Sequence, residues 1–295
     1  MIEARMLERI RTGKGFIAAL DQSGGSTPKA LKGYGIEEGA WSSEEEMFGL
    51  IHEMRVRIIT SPAFTGEKVL GAILFERTMD GLADGKQVPA LLRERNVVPF
   101  LKVDKGLEDE ADGVQLMKPM PGLVDLLARA KALGVVGTKM RSVINAADPV
   151  GIAAIVAQQF EVGAQIWHAG LMPILEPEYN IKSTDRAEGE TLLREEILKQ
   201  LDAMPDGQMV MLKLSIPVVA NHYKALIEHP AVARVVALSG GYNRPDACAE
   251  LARNPGMIAS FSRALLEDLR AGMSDEEFDS ALGSAIDEIY RASIV

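Results

Sequence analysis

Three lysines interrupt or end apolar runs in this chain: Lys102 in VVPFLKVDKG, Lys139 in GVVGTKMRS and Lys213 in QMVMLKLS. Valine, leucine, isoleucine and methionine fill nearly every other position of these runs, the pattern of buried strands. A lysine taken out of water must find a partner or give up its proton. The neutral amine is a nucleophile toward carbonyl carbon. Three such lysines on three strands point to a site where one amine attacks and the others supply a cationic field, an imine-forming site. A single strand-end lysine most often carries its ammonium to the rim of the sheet and does nothing more. Three, with acidic residues ending other strands, point to chemistry.

The elements that must hold these lysines alternate along the whole chain. Apolar patterning predicts strands at 16–21, 69–76, 97–104, 134–141, 171–178, 209–215, 234–239 and 257–262, the last carrying small polar residues. Helices are predicted at 43–60, 87–95, 121–133, 148–164, 187–204, 219–229 and 243–253, with 263–292 in two pieces. Strand followed by helix, repeated around the chain, is the pattern of a (β/α)8 TIM barrel, an α/β fold with right-handed parallel crossovers. An amphipathic N-terminal helix precedes it and helices follow it. No linker or composition shift divides residues 1–295, so a single domain is expected, and 295 residues suffice for one barrel.

Catalytic residues of such a barrel come from the carboxyl ends of its strands. In order these ends offer Asp21, Glu76, Lys102 with Asp104, Lys139 with Arg141, Glu176 with Glu178, Lys213, the Ser239-Gly240-Gly241 turn, and Ser260 to Arg263. Glu176 and Glu178 alternate on one strand, so both can face the barrel mouth and divide acid and base work. A plain ion-pair network reads equally well from that pair alone. The run VVALSGGYNRP places glycines where backbone N–H groups can close on a phosphate, and Arg263 at the next strand end can grip the same anion. Ser23 and Ser26 in DQSGGS could serve a second anion opposite Lys102, or simply cap a helix.

Composition narrows the field. The 32 basic and 42 acidic residues leave a net charge of −10, against a nucleic-acid or membrane-surface partner. The one cysteine, Cys248, excludes an intrachain disulfide and reads as a buried thiol. The amino terminus has no apolar signal core and no run reaches the length of a membrane span, so a cytoplasmic protein is expected. His52, His168, His222 and His229 show no metal-ligand spacing; His168 reads as a structural imidazole at a strand entrance. No metal is assigned, and the G-x-G-x-x-G and Walker loops are absent.

The blocks GKGFIAALDQSGGS, VLGAILFERTMDG, PFLKVDKG, KMRSV, GLMPILEPE, MLKLSIP, ALSGG and SFSRAL follow one another in this chain. In that order and spacing they resemble class I fructose-1,6-bisphosphate aldolase, in its shorter bacterial branch, over almost the whole length. The resemblance implies a Schiff-base lyase that splits fructose 1,6-bisphosphate into dihydroxyacetone phosphate and glyceraldehyde 3-phosphate, in glycolysis and gluconeogenesis. It implies Lys213 as the imine lysine, Glu176 as the acid/base of imine formation, and Lys139 as the assisting charge. Glu178 orders the same cluster, and Asp21 lies beside the carbon–carbon bond. It implies Ser239, Gly240 and Arg263 for the ketone-side phosphate and Ser23, Ser26 and Lys102 for the opposite end, with Arg141 and Ser260 also expected among the substrate-binding residues. No cofactor is implied beyond the covalent imine, and the partners are sugar phosphates, with a homo-oligomer left open. Animal members have an acidic residue at Gln22 and an aromatic one at Met140, and their tyrosine-ended tail has no match in RASIV. Neither tail gating nor the animal tetramer is therefore carried over. An aldolase for another ketose phosphate, such as tagatose 1,6-bisphosphate, and a non-catalytic binding protein on the same fold are the alternatives.

Overall fold

The computed structural model describes residues 3–295. Eight parallel strands follow one another around a barrel: β1 Phe16–Leu20, β2 Val69–Leu74, β3 Val98–Lys102, β4 Gly137–Ile144, β5 Met172–Tyr179, β6 Val210–Ser215, β7 Val232–Leu238 and β8 Ile258–Ala259. Each pairs with its chain neighbour in parallel register, for example Lys102 opposite Lys139 and Arg141 opposite Glu176. The return from β8 to β1 is made without a ladder, and a backbone bond from Ala19 N–H to the Phe261 carbonyl (3.1 Å) spans it. The expected TIM barrel is therefore present, with its weakest junction between first and last strands.

Apolar side chains divide between two layers. Leu20, Leu74, Leu101, Leu175, Leu212 and Ala237 point outward and pack beneath the surrounding helices. Ala19, Ile73, Phe100, Ile174, Met211, Val236 and Ile258 point inward and fill the barrel floor. Met6 and Ile10, four apart on the N-terminal helix Ala4–Thr12, join that inner layer and stopper the barrel from below. Arg234 of β7 holds the end of this helix by donating from Nε to the Ile10 carbonyl (3.0 Å). Four of the described α-helices start at a side chain that satisfies their free N–H groups. Ser43 accepts from Glu46 N, Asp148 from Val150 and Gly151 N, and Ser274 closes a capping box with Glu277.

Several boundaries differ from the sequence reading, each for a local reason. The fourth strand runs past Arg141 to Ile144, because its far end pairs with β5 and also, antiparallel, with Val114–Gln115. Lys139 therefore lies within a strand and not at its end. Lys213 likewise has two strand residues beyond it. The second strand stops at Leu74; Glu76 opens a short helix and pairs with the partly exposed Lys105 and Arg129 instead of with the buried lysines. The helix expected over 219–229 shrinks to Lys224–Ile227, since Asn221 adopts a left-handed φ of 62° that breaks helical geometry. His168 closes the helix Pro149–His168 and bonds within its own last turn, rather than entering a strand. A helix at Ser26–Gly33 and a small hairpin, Leu82–Ala83 with Lys86–Gln87, were not anticipated.

The Phe100 ring crosses the floor and needs small neighbours on both flanking strands. A Cβ on Gly137 would lie 2.4 Å from the Met172 carbonyl oxygen and 2.7 Å from the Phe100 ring, and one on Gly71 3.0 Å from the ring's other edge. Gly137→Ala should therefore lower the urea midpoint by an amount equivalent to about 1–3 kcal/mol or more, the usual cost of overpacking a core. Gly137→Ala together with Phe100→Leu should recover part of that loss.

Candidate active site

Side chains of alternate strand residues share one face. Two residues beyond the apolar floor, toward the carboxyl ends, the inward positions become polar on six strands. Ala19 is followed in this way by Asp21, Phe100 by Lys102, Gly137 by Lys139, Ile174 by Glu176, Met211 by Lys213 and Ile258 by Ser260. The register that stacks the floor thus stacks a ring of charge on top of it.

Four of these groups meet. The Glu176 carboxylate stands between two ammonium groups, with Oε1 3.1 Å from Lys213 Nζ and Oε2 2.8 Å from Lys139 Nζ. Lys139 Nζ is also 2.6 Å from Asp21 Oδ2. Lys139, Lys213 and Glu176 expose 3%, 4% and 3% of their surface, so the cluster is cut off from bulk water. Burial by itself would raise the carboxyl of Asp21, but Lys139 and Lys213 more than offset it and hold it well below the usual carboxylate range. Glu176 is lowered through the same contest between burial and the two lysines. Burial pulls Lys139 down, yet Asp21, Glu176 and Asp104 together raise it above the ordinary lysine value. Lys139 is therefore a fixed ammonium, and both carboxylates are ionised at neutral pH.

A second set of pairs borders the first. Lys102 bonds Asp104 through Oδ1 (2.6 Å) and its carbonyl (3.0 Å), and Asp104 Oδ2 accepts from the Arg141 backbone N–H (3.1 Å). Arg141 pairs through Nε with Glu178. Burial opposes its charge, but Glu178 outweighs that and raises the guanidinium. Glu178 is thus engaged by Arg141 and does not touch the Lys139–Glu176–Lys213 chain. Asp104 was visible only as a strand-end acid; its part in fixing Lys102 against β4 depends on the register.

On the far side, Ser239, Gly240 and Gly241 form a turn whose glycines take φ of 61° and 125°. Arg263 reaches it: its Nη2 lies 3.7 Å from where a Gly241 Cβ would stand. Ser260 is buried, and its hydroxyl oxygen has no hydrogen-bond partner among the described residues. A glycine turn, a guanidinium and a hydroxyl in need of a partner are a fitting set for an anion. Ser23 and Ser26 do not join Lys102. Ser26 Oγ accepts from Ser23 N (2.9 Å) and donates to the Ser23 carbonyl (2.8 Å), which caps their own exposed turn.

One residue of consequence escaped the sequence reading. Arg55, on the helix Glu44–Thr60, is fully buried behind Asp21 and bonds Thr78 and Gln22. Its signal was present. Met47, Phe48, Ile51, Met54, Arg55, Ile58 and Ile59 trace a single buried helical face, and one of them is a cation.

A family model described as glycolytic, fructose-bisphosphate aldolase class-I, matches residues 3–216. The chain belongs to the class-I fructose-bisphosphate aldolase family. The match ends one residue after β6, so it covers Asp21, Lys102, Lys139, Glu176 and Lys213 but not the Ser239–Arg263 side. Among solved structures, a fructose-bisphosphate aldolase from Plasmodium falciparum, crystallised with TRAP and a small-molecule inhibitor, is similar. It shares 19% identity at a TM-score of 0.77, over 99% of this chain and 95% of that one. Cgl0159 from Corynebacterium glutamicum shares 16% identity at a TM-score of 0.56, over 99% and 92%. At such identities the likeness establishes the barrel fold, and it extends through β7 and β8. No group of three or more metal-ligating side chains is assembled among the described residues of this aldolase-family chain. No helix among them is long and apolar enough to cross a membrane.

The cluster's charges fix the sign of its pH dependence. Asp21 and Glu176 have lowered folded-state pKa values, so their contribution to stability is complete above the unfolded carboxylate range near pH 4 and is lost as pH falls through the folded values. Lys139 is raised, so its contribution is complete below its unfolded value near pH 10 and is lost only as pH rises past the folded one. Lys139→Met should leave buried Asp21 without its partner and Glu176 with Lys213 alone, at a cost of roughly 3–5 kcal/mol at pH 7. Their pKa values would then rise, so the deficit should shrink as pH is lowered toward about 4, read as the melting-temperature gap between mutant and wild type.

Proposed function

We propose that this protein is a Schiff-base aldolase that reversibly cleaves fructose 1,6-bisphosphate between its third and fourth carbons, yielding dihydroxyacetone phosphate and glyceraldehyde 3-phosphate. The observation that carries this reading is the Glu176 carboxylate set between Lys139 and Lys213. Lys213 must shed a proton before it can attack the C2 carbonyl, and Glu176 Oε1 is the acceptor within reach. The carbinolamine then loses its hydroxyl as water, with the proton returned from Glu176 and the developing charge met by the fixed ammonium of Lys139. The protonated imine draws electrons from the C3–C4 bond as that bond breaks, while Asp21 takes the proton of the C4 hydroxyl. The C3–C4 electron pair remains as an enamine, whose C3 gains a proton to balance the one Asp21 took, with Asp21 returned to its carboxylate; water then attacks the imine to release the ketone and free Lys213. The imine does the work a metal does in the other aldolase class, so no cofactor is called for.

The two phosphates set the substrate's direction. The Ser239–Gly241 turn with Ser260 and Arg263 suits the ketone-side phosphate, within reach of the Lys213 end. Lys102 and Arg141 suit the opposite end, each freed in part from its carboxylate partner when a phosphate dianion arrives. A reaction of this kind serves glycolysis and gluconeogenesis.

The first test is borohydride reduction in the presence of dihydroxyacetone phosphate and EDTA. One covalent adduct on Lys213 is expected, absent in Lys213→Ala along with nearly all cleavage; Lys213→Ala that cleaves at the wild-type rate would sink the mechanism. The second separates the phosphate ends. Arg263→Ala should weaken dihydroxyacetone phosphate binding by roughly 1.5–3 kcal/mol, the worth of a charge-assisted contact. Lys102→Met should weaken the bisphosphate more than the triose. Unaltered triose affinity in Arg263→Ala would mean the ends are reversed.

A further inference from the structure

The barrel's open seam lies between β1 and β8, where the single Ala19–Phe261 backbone bond stands in for a ladder. The groups that flank this seam are the ones the proposed reaction must keep in register: Asp21 leaves β1, and the Ser260–Arg263 segment leaves β8. Above that bond a side-chain bridge crosses the gap. Gln22 Nε2 donates to Ser262 Oγ (2.7 Å) and to the Ala19 carbonyl (3.2 Å). Gln22 is itself held from behind, since Arg55 Nη2 donates to its backbone carbonyl and to its side-chain Oε1 (3.2 Å). The other end of the same guanidinium, Nη1, reaches Thr78 Oγ1 (2.9 Å), beyond β2.

Arg55 is an unusual group to bury. It exposes 0% of its surface, its Nε has no partner, and no carboxylate pairs with it among the described residues. Burial brings its pKa down to about 10, with Asp21 the opposing influence, so it stays charged at neutral pH. An unpaired buried cation costs stability. What it supplies is a rigid fork of donors behind the residue that bridges a seam where the sheet has no ladder.

We propose that Arg55 and Gln22 are positioning residues, a relay that locks the β1–β8 seam and thereby holds Asp21 and the Arg263 phosphate turn in a fixed relation. This deepens the aldolase reading and rests on it. Neither residue touches the reacting atoms; Arg55 acts through Gln22, and Gln22 through Asp21 next to it and through Ser262, which precedes Arg263.

Gln22→Leu keeps the bulk and removes all three side-chain bonds. Gln22→Glu keeps an acceptor for Arg55 and one for the Ser262 hydroxyl, and so serves as the conservative rescue. In Gln22→Leu, cleavage of fructose 1,6-bisphosphate should fall by about tenfold to a hundredfold, the scale of a small misplacement of reacting groups. The dihydroxyacetone phosphate concentration needed for half-maximal borohydride trapping should rise, and Gln22→Glu should restore both to within a few-fold of wild type. Amide hydrogen exchange should quicken together at 19–25 and 260–266 in Gln22→Leu and in Arg55→Met, a coupling that general destabilisation would not confine to these two segments. Wild-type activity and exchange retained in folded Gln22→Leu would overturn the relay, as would equal losses in Leu and Glu variants. A wild-type protein that traps no dihydroxyacetone phosphate would overturn the aldolase reading instead, and hydrogen exchange would then still decide whether the relay locks the seam.

Discussion

Everything in the barrel mouth depends on one carboxylate balanced between two ammonium groups. Glu176, Lys139, Lys213 and Asp21 are nearly sealed from water, and each alone would carry a prohibitive desolvation cost. Together they are two cations and two anions within ion-pair distance. Neutrality of the group, more than any single contact, is what makes it tolerable. The same balance keeps a base beside an amine that must lose a proton, and a permanent positive charge beside the place where a hydroxyl would depart.

That balance is a matter of register. Inside the barrel the apolar floor and the charged layer are separated by two residues on strand after strand. The floor closes around the Phe100 ring because Gly71 and Gly137 leave room for it. A slip of one residue in any of the five strands that carry Asp21, Lys102, Lys139, Glu176 or Lys213 would turn a charge outward beneath the helices. Packing of the floor and placement of the charges are therefore a single constraint. The helix Ala4–Thr12, which stoppers the floor, belongs to the same constraint although it lies at the opposite end of the barrel.

The two halves of the site are held by different means. From β3 to β5, neighbouring strands carry continuous ladders, and Lys102, Asp104, Arg141 and Glu178 are fixed by pairs that cross them. The family match covers this half. The phosphate turn and Arg263 stand beside the seam, where the last strand is two residues long and side chains take over from the ladder. A substrate that bridges both halves would itself add to closure of the barrel, because it binds the closed arrangement better than a splayed one.

From the sequence alone, the alternation of strand and helix determined the barrel, and the lysines in apolar runs determined that charge would be buried at its mouth. Glu176, Lys139 and Lys213 were legible because they break a strong pattern, and a charge in an apolar strand has few ways to be satisfied. The tertiary structure decided which charges meet. It engaged Glu178 with Arg141, sent Glu76 to the surface and left Ser23 and Ser26 capping their own turn, choices that hang on where strands end and which neighbours pair. It also gave Arg55 its place, since a helical face announces that a residue is buried but not what it is buried against. Local spacing governs which side of an element a residue occupies; only the closure of the barrel, which brings the first strand to the last, decides what stands opposite.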